Sequence, residues 1–499
     1  MLRRTLLFLA LLGLLVSPAS ATWSIVVVNR RTGEVAVGGA TCIARFNLLN
    51  AIPTVATGYG AGVIQASGDN GDLVPMTQGL RAGLDPADIL LLVQAAEPSP
   101  NQLQTGIVSL YPGAPVTFTG PAVGNAKHGV VGQVGDFAYA IQGNVLTGDP
   151  VVIAAEQALL DTPGDLGQKL LAAMQAARVL GGDGRCSCSL SRPTSCGVPP
   201  ADFDKSAHCG FMVIARMGDP DSPCLRGGDC ADGAYYMKLN VRGGDAAEAS
   251  PDPVDQLSDK YVLWRAARSG RPDGILSTVD APASLPADGR TKRLVRVHLV
   301  DLDGRPLAHG GADVRVTSLG GARANLVVSP VADHGDGSYS FSLSASTRVG
   351  LDRFAITAED DLIRATLFPY LEVRSEAPAA LHVGVDELSA SAGGRAPFVL
   401  VPPAAAPGAF FVLLASGGGT APGQRLPGGV VLPLNRDPWF FAAARSAALH
   451  GLLDATGRAE LEVAVPPGAL VPLIGARLDW AAIVGGASVT PPVGFAVRP

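Results

Sequence analysis

The residues that most constrain this chain are 19–24, Ala-Ser-Ala-Thr-Trp-Ser, where an export leader meets the first strand of a folded protein. Ahead of them, Arg3 and Arg4 precede an apolar run over residues 6–16, and Ala19-x-Ala21 supplies the small residues of a cleavage site. Scission after Ala21 makes Thr22 the first residue of the mature chain and places a hydroxyl and a free α-amine on one residue. That amine titrates near about pH 8, so it is able to take the proton of the hydroxyl beside it. A strand-starting threonine with no chemical role has the same appearance, so the remainder of the chain must decide.

The 499 residues exceed what one core holds and predict two to four domains. Hydrophobic content of 47% with 16% charged residues describes a chain that folds. A net charge of −6 and the lack of a long basic run exclude nucleic acid as a partner. The 61 glycines and 39 prolines predict short strands joined by many turns. After residue 21 no apolar run reaches the roughly 18 residues of a membrane-spanning helix. The mature protein is therefore expected in the secreted, periplasmic or cell-surface fraction.

Cys186, Cys188, Cys196, Cys209, Cys224 and Cys230 cluster, whereas Cys42 stands apart. In an oxidising compartment the cluster reads as up to three disulfides, whose pairing the sequence does not rank. Cys186-x-Cys188 and His208-Cys209 are alternative metal ligands, although the paired CxxC spacing of a zinc site is missing. Cys42 is either a buried apolar residue or an odd partner to the cluster. Neither a metal nor a cofactor is expected.

In chain order, residues 23–29 and 34–40 read as a strand pair around Arg30–Gly33, and 54–66 as buried strand structure. Asp85-Pro86-Ala87-Asp88 opens a helix through a capping Asp and a first-turn Pro. Residues 104–110, 116–120 and 137–141 are strand candidates, the last ending at Gln142-Gly143-Asn144. Asp149-Pro150 and Thr162–Asp165 open two helices; Leu166, Leu170, Met174 and Ala177 form the apolar stripe of the second. Strands over 211–216 and 235–241 and a helix over 253–267 complete an α+β order.

These segments together resemble the bacterial domain of unknown function numbered 1028, assigned to the N-terminal-nucleophile hydrolase superfamily. The resemblance rests on Thr22-Trp23-Ser24-Ile25, Thr32-Gly33-Glu34, Gln142-Gly143-Asn144, Gly181-Gly182-Asp183-x-Arg185 with Ser189, and Ser250-Pro251-Asp252-Pro253-Val254. It covers about residues 22–270, with a cysteine-rich insert over 186–230. Cys186 replaces the family's glycine after Arg185, Cys188 sits inside the motif, and Ser250 stands where the family has His. The resemblance implies a four-layer αββα sandwich and cleavage of an amide bond in a small-molecule or peptide substrate.

It also implies roles. Thr22 is the expected nucleophile, with the side-chain amides of Gln142 and Asn144 as oxyanion donors; bonding to turn backbone is an equal alternative. Asp183 and Arg185 pair structurally, orient the Thr22 amine, or grip a charged substrate group. Gln65, Asp69 and Asn70 lie in a polar loop that either borders the site or is plainly solvated. His128 and His208 lack a recognisable constellation.

Residues 271–290, rich in Pro, Gly, Asp and Ser, are expected to be a linker. The turn Asp333-His334-Gly335-Asp336-Gly337-Ser338-Tyr339 and the alternating strands over 291–375 resemble the Ig-like modules of filamins and invasins. Its acidic residues favour a tight hairpin over a calcium site, since a full ligand set is missing. Residues 380–499 predict a further β-sandwich, in which Asn435 and Asp437 are turn residues. The whole reads as an exported amidohydrolase with two β appendages, or as a surface-binding protein that uses the same fold as a scaffold. The substrate, the oligomeric state and any cell-envelope contact are left open.

Overall fold

The computed structural model describes residues 22–68, 70–244, 250–320, 324–376, 380–402, 406–427, 429–486 and 488–499. The expected leader, residues 1–21, and Asp69 lie outside the described residues. The chain divides into two compact units, one up to Ala267 and one over Arg268–Pro499.

In the first unit, β1 (Thr22–Asn29) and β2 (Glu34–Thr41) form a hairpin closed by Gly33, whose φ of +68° is open to glycine without strain. Glu34 is buried there and pairs with Arg216 at 2.9 Å, so the Thr-Gly-Glu motif is a fold anchor. There follow β3 (Pro53–Ala56), β4 (Gly60–Ala66), α1 (Leu73–Arg81), α2 (Pro86–Ala96), β5 (Leu103–Ser109) and β6 (Val116–Thr119). Next come β7 (His128–Val134), β8 (Phe137–Asn144), α3 (Pro150–Asp161), α4 (Leu166–Val179) and α5 (Gly184–Ser187). β9 (Cys209–Ala215), β10 (Met237–Val241) and α6 (Pro253–Arg268) complete the set.

One sheet has the order β10-β9-β2-β1-β8-β7, and the second has the order β3-β4-β5-β6. Val26, Val28, Val35 and Val37 of the first pack on Val55, Val63 and Val108 of the second. On its outer face the first sheet buries Ile25, Ile141 and Met212 against Leu159, Leu170 and Met174 of α3 and α4. The second sheet buries Ile64, Leu103 and Ile107 against Leu73, Met76, Leu80 and Ile89 of α1 and α2. The layers thus run helix, sheet, sheet, helix. β1 is buried at all eight positions because both its faces are covered.

The helix starts follow local chemistry. Asp85 accepts from Ala87 N, and Asp165 and Gln168 form a reciprocal capping box. β7 was not legible in the sequence: it is an edge strand of glycines and half-exposed valines with little to bury.

In the second unit, residues 271–290 depart from the expected linker. Thr278–Asp280 and Ser284–Pro286 are short strands, one in each sheet of the following sandwich. The Pro, Gly and Asp of this segment make turns: Asp273 Oδ1 accepts from Ile275 N and Leu276 N. The sandwich core joins Val295, Val297, Tyr339 and Phe341 of one sheet to Phe354, Ile356 and Leu367 of the other. Asp333 and Asp336 accept backbone N–H groups of Gly335, Gly311 and Ser338, as a tight hairpin requires.

Residues 381–498 form a further pair of sheets around Phe398, Leu413, Trp480 and Phe495. Asp437 is more than a turn residue. It caps the helix Pro438–Arg445 through Phe440 N at 2.8 Å and holds Gly417 N and Gly418 N at 2.7 Å each.

Candidate functional site

Thr22 begins the central strand of the first sheet, opposite Asn144 of β8, while Ser24 is opposite Gln142. The even residues of β1 face the second sheet, so the hydroxyls of Thr22 and Ser24 enter the space between sheets where Val26 and Val28 are packed further along. Apolar packing gives way there to a run of side-chain amides. Gln65 of β4 donates Nε2 to the Thr22 carbonyl at 3.1 Å and to Gln104 Oε1 at 2.6 Å. Ser24 Oγ donates to Gln65 Oε1 at 2.8 Å and accepts from Gln142 Nε2 at 2.6 Å. Asn144 Nδ2 donates to Gln104 Oε1 at 2.9 Å.

Gln65, Gln104, Gln142 and Asn144 are each at most 2% exposed. A polar network this deep persists because its members satisfy one another, and it fixes the register of the two sheets. Gly106 makes room for it: a Cβ there would lie 2.2 Å from Gln142 Oε1.

A charged group approaches Thr22 from the β2 side. Thr22 Oγ1 lies 3.2 Å from Thr41 Oγ1, and Arg185 Nη2 donates to Thr41 Oγ1 at 3.1 Å. Arg185 is held by Asp183, fully buried, at 2.8 Å. The Asp183 carboxylate also accepts Cys42 N at 2.7 Å and Arg185 N at 3.0 Å. The pair is thus an ion pair and a helix cap, and its guanidinium ends one hydroxyl away from Thr22.

Of the residues singled out in the sequence, Thr22, Gln65, Gln142 and Asn144 fall in one network, with Asp183 and Arg185 beside it through Thr41. Asn70 is exposed, and its backbone meets the loop at Gly227 instead. His128 starts β7, half-buried, and His208 follows Thr41 through a backbone bond. Ser24, Thr41, Gln104 and Thr117, whose hydroxyl donates to Gln142 Oε1 at 3.2 Å, belong to the site and were missed. Their signal was a polar residue recurring at one end of otherwise apolar strands.

The cysteines decide between the open alternatives for Cys42. Disulfides join Cys42–Cys186, Cys188–Cys196 and Cys224–Cys230, so Cys42 is paired and Cys209, within the cluster, is the free thiol. Burial pushes the Cys209 thiol up to about 12. Cys42, Cys186 and His208 bring potential ligand atoms within 4.8 Å of one another, but the two sulfurs are bonded to each other and offer no thiolate. Asp252 of the Pro-Asp-Pro stretch accepts from Ser206 N and Val254 N, tying the start of α6 to the approach to β9.

Among the described residues no helix is long and apolar enough to cross a membrane. No curated protein matches the chain. Among solved structures, protein SPO2555 from Silicibacter pomeroyi is 20% identical, covering 49% of this chain and 89% of that one, with a TM-score of 0.34. The Yersinia pseudotuberculosis adhesin InvE is 19% identical over 45% of this chain and 59% of its own, with a TM-score of 0.17. The Escherichia coli adhesin FdeC is 11% identical over 96% of this chain and 97% of its own, with a TM-score of 0.20. Residues 22–191 match the family of unknown function DUF1028, ending short of the 270 expected, and residues 275–366 match invasin domain 3, starting inside the expected linker. The chain therefore carries a segment similar to the DUF1028 family of unknown function, followed by one similar to invasin domain 3.

Proposed function

We propose that the first unit is an exported N-terminal-nucleophile hydrolase with an αββα sandwich, in which Thr22 cleaves an amide bond. The observation that carries this reading is the position of Thr22. The residue that leader removal would make N-terminal heads the central strand, with its carbonyl held by Gln65 and its hydroxyl beside Thr41. In the reaction Thr22 Oγ attacks the amide carbon, and its proton passes to the Thr22 amine and then to the departing nitrogen. The resulting acyl-threonine ester is hydrolysed by water, which returns the proton.

Asn144, opposite Thr22, is the better placed oxyanion donor; Gln142, opposite Ser24, is one pleat removed and braces the network. Asp183 and Arg185 orient the hydroxyl of Thr41 toward the nucleophile.

The test is the mature N-terminus, read by intact mass on protein exported by its native host, followed by acylation with a strained β-lactone that reacts with nucleophilic hydroxyls. A chain beginning at Thr22 that acylates there, and loses this in Thr22→Val and when Ala21 is retained, supports the reading. A different N-terminus, or equal acylation in Thr22→Val, removes it.

A second reading is favoured by the invasin match over residues 275–366. In it the protein binds a surface or receptor partner, and the first unit is a scaffold without turnover. Cell-surface binding by the full chain that is identical in wild type and Thr22→Val, with no acylation in either, selects it.

A further inference from the structure

Thr41 and Cys42 are consecutive, and so are Arg185 and Cys186. The side chains of the first and third meet at 3.1 Å, and the sulfurs of the second and fourth are joined as a disulfide. Cys42 also gives its backbone N–H to Asp183, the residue that grips Arg185. The disulfide thus closes a small ring of interactions whose remaining members are Thr41, Asp183 and Arg185, and it does so at the end of β2, where the ladder to β1 has just finished. The two segments are 144 residues apart in sequence. The four-residue α5 is otherwise anchored on the β8 side, by Gly184 N on Val145 O, and through Asp183 N on Ser206 O; the disulfide is its covalent tie to the end of β2.

We propose that the Cys42–Cys186 disulfide is the positioning device of the nucleophile: it holds Arg185 on Thr41, and Thr41 on Thr22, so the site is assembled only in the oxidised protein. The inference rests on Thr22 being the nucleophile and adds the regulation of that site. Arg185 and Thr41 are positioning residues, since they act through the Thr22 hydroxyl. Both cysteines are only partly buried, so a small dithiol reaches them. Opening proceeds by two thiol–disulfide exchanges. Two electrons and two protons pass to Cys42 and Cys186, which become thiols, and the dithiol closes to its own cyclic disulfide. Formation of the bond after export would then switch the site on in the compartment where the leader is removed.

The experiment is β-lactone acylation of Thr22 on the full mature chain, with kinact and KI measured separately. Opening the bond, by dithiol or as Cys42→Ser/Cys186→Ser, should lower kinact about tenfold to a hundredfold, the scale of an ångström misplacement. KI should stay within about twofold, because the remaining contacts of the probe are untouched. Variants Cys188→Ser/Cys196→Ser and Cys224→Ser/Cys230→Ser, which open the other two disulfides, should keep the oxidised value, and reoxidation of the wild type should restore it. If the double serine variant loses its far-UV circular dichroism, the dithiol-treated wild type with intact dichroism decides. An unchanged kinact after opening overturns the proposal while leaving Thr22 the nucleophile. A chain that acylates in neither state removes the Thr22 reading itself, and this proposal with it.

Discussion

Gln65 donates its side-chain amide to the carbonyl of Thr22 across 3.1 Å, from the second sheet to the first. The same side chain accepts from Ser24 and donates to Gln104 of β5, so one amide of β4 holds Thr22 and Ser24 of β1. Where Val26 and Val55 join the sheets by burial alone, a half-residue slide costs little in direction-specific contact. At the Thr22 end each slide breaks hydrogen bonds.

Replacing Gln65 with Leu keeps the volume and removes three buried hydrogen bonds at once. At about 1 kcal/mol net for each bond, the expected loss is about 3 kcal/mol. For a unit of this size that is roughly 6–12 °C in Tm, read by differential scanning calorimetry. A loss below about 1 kcal/mol would mean that the network is satisfied by rearrangement.

Asn144 and Gln142 separate on acylation kinetics. Asn144→Ala removes the amide opposite Thr22 and should lower kinact a hundredfold to a thousandfold, the usual effect of losing an oxyanion donor. Gly106→Ala places a Cβ where the Gln142 amide now lies and pushes that amide off Ser24. Because Gln142 is a brace, the effect there should stay below about tenfold. The opposite ranking would assign the oxyanion to Gln142.

Cys209 should resist alkylation in the folded protein at pH 8 and react once, completely, on unfolding. Burial raises its thiol to about 12 and that of the buried Tyr235 hydroxyl upward as well. The unfolded thiol releases its proton near 9, and the folded one holds it until about 12. Across that window the native state binds more protons than the unfolded state, so stability falls as pH rises. Urea midpoints should be flat from pH 7 to 8.5 and decline steadily above 9. In Cys209→Ala the decline should be shallower.

Asp437→Ala in the C-terminal sandwich removes a helix cap and the acceptor for two loop amides at once. A cap alone is worth about 1 kcal/mol. With Gly417 N left unpaired and Gly418 N keeping only its bond to Ser416 Oγ, the expected loss is about 2–3 kcal/mol, and Asp437→Asn should recover part of it. A loss within about 0.5 kcal/mol would show that water replaces the carboxylate.

Helices and strands of the first unit were legible wherever local chemistry decides them. Asp85-Pro86 and Asp165 with Gln168 cap helices by contacts within three residues, and residues 23–29 read as a strand from their β-branched and aromatic residues. β7 escaped because an edge strand buries too little to leave a pattern. The segment 271–290 was misjudged because turn residues look alike in a linker and between short paired strands.

The sequence by itself determined the order of most elements and the change from mixed helices and strands to alternating strands after about residue 290. Those are properties of nearest neighbours and of composition. Only the tertiary structure decided that Thr22, Gln65, Gln104 and Asn144 share one network, that Thr41 stands between Thr22 and Arg185, and that Cys42 rather than Cys209 is oxidised. Each of these joins residues 19 to 144 positions apart. Sheet registry and layer packing set such distances, and no local propensity encodes them.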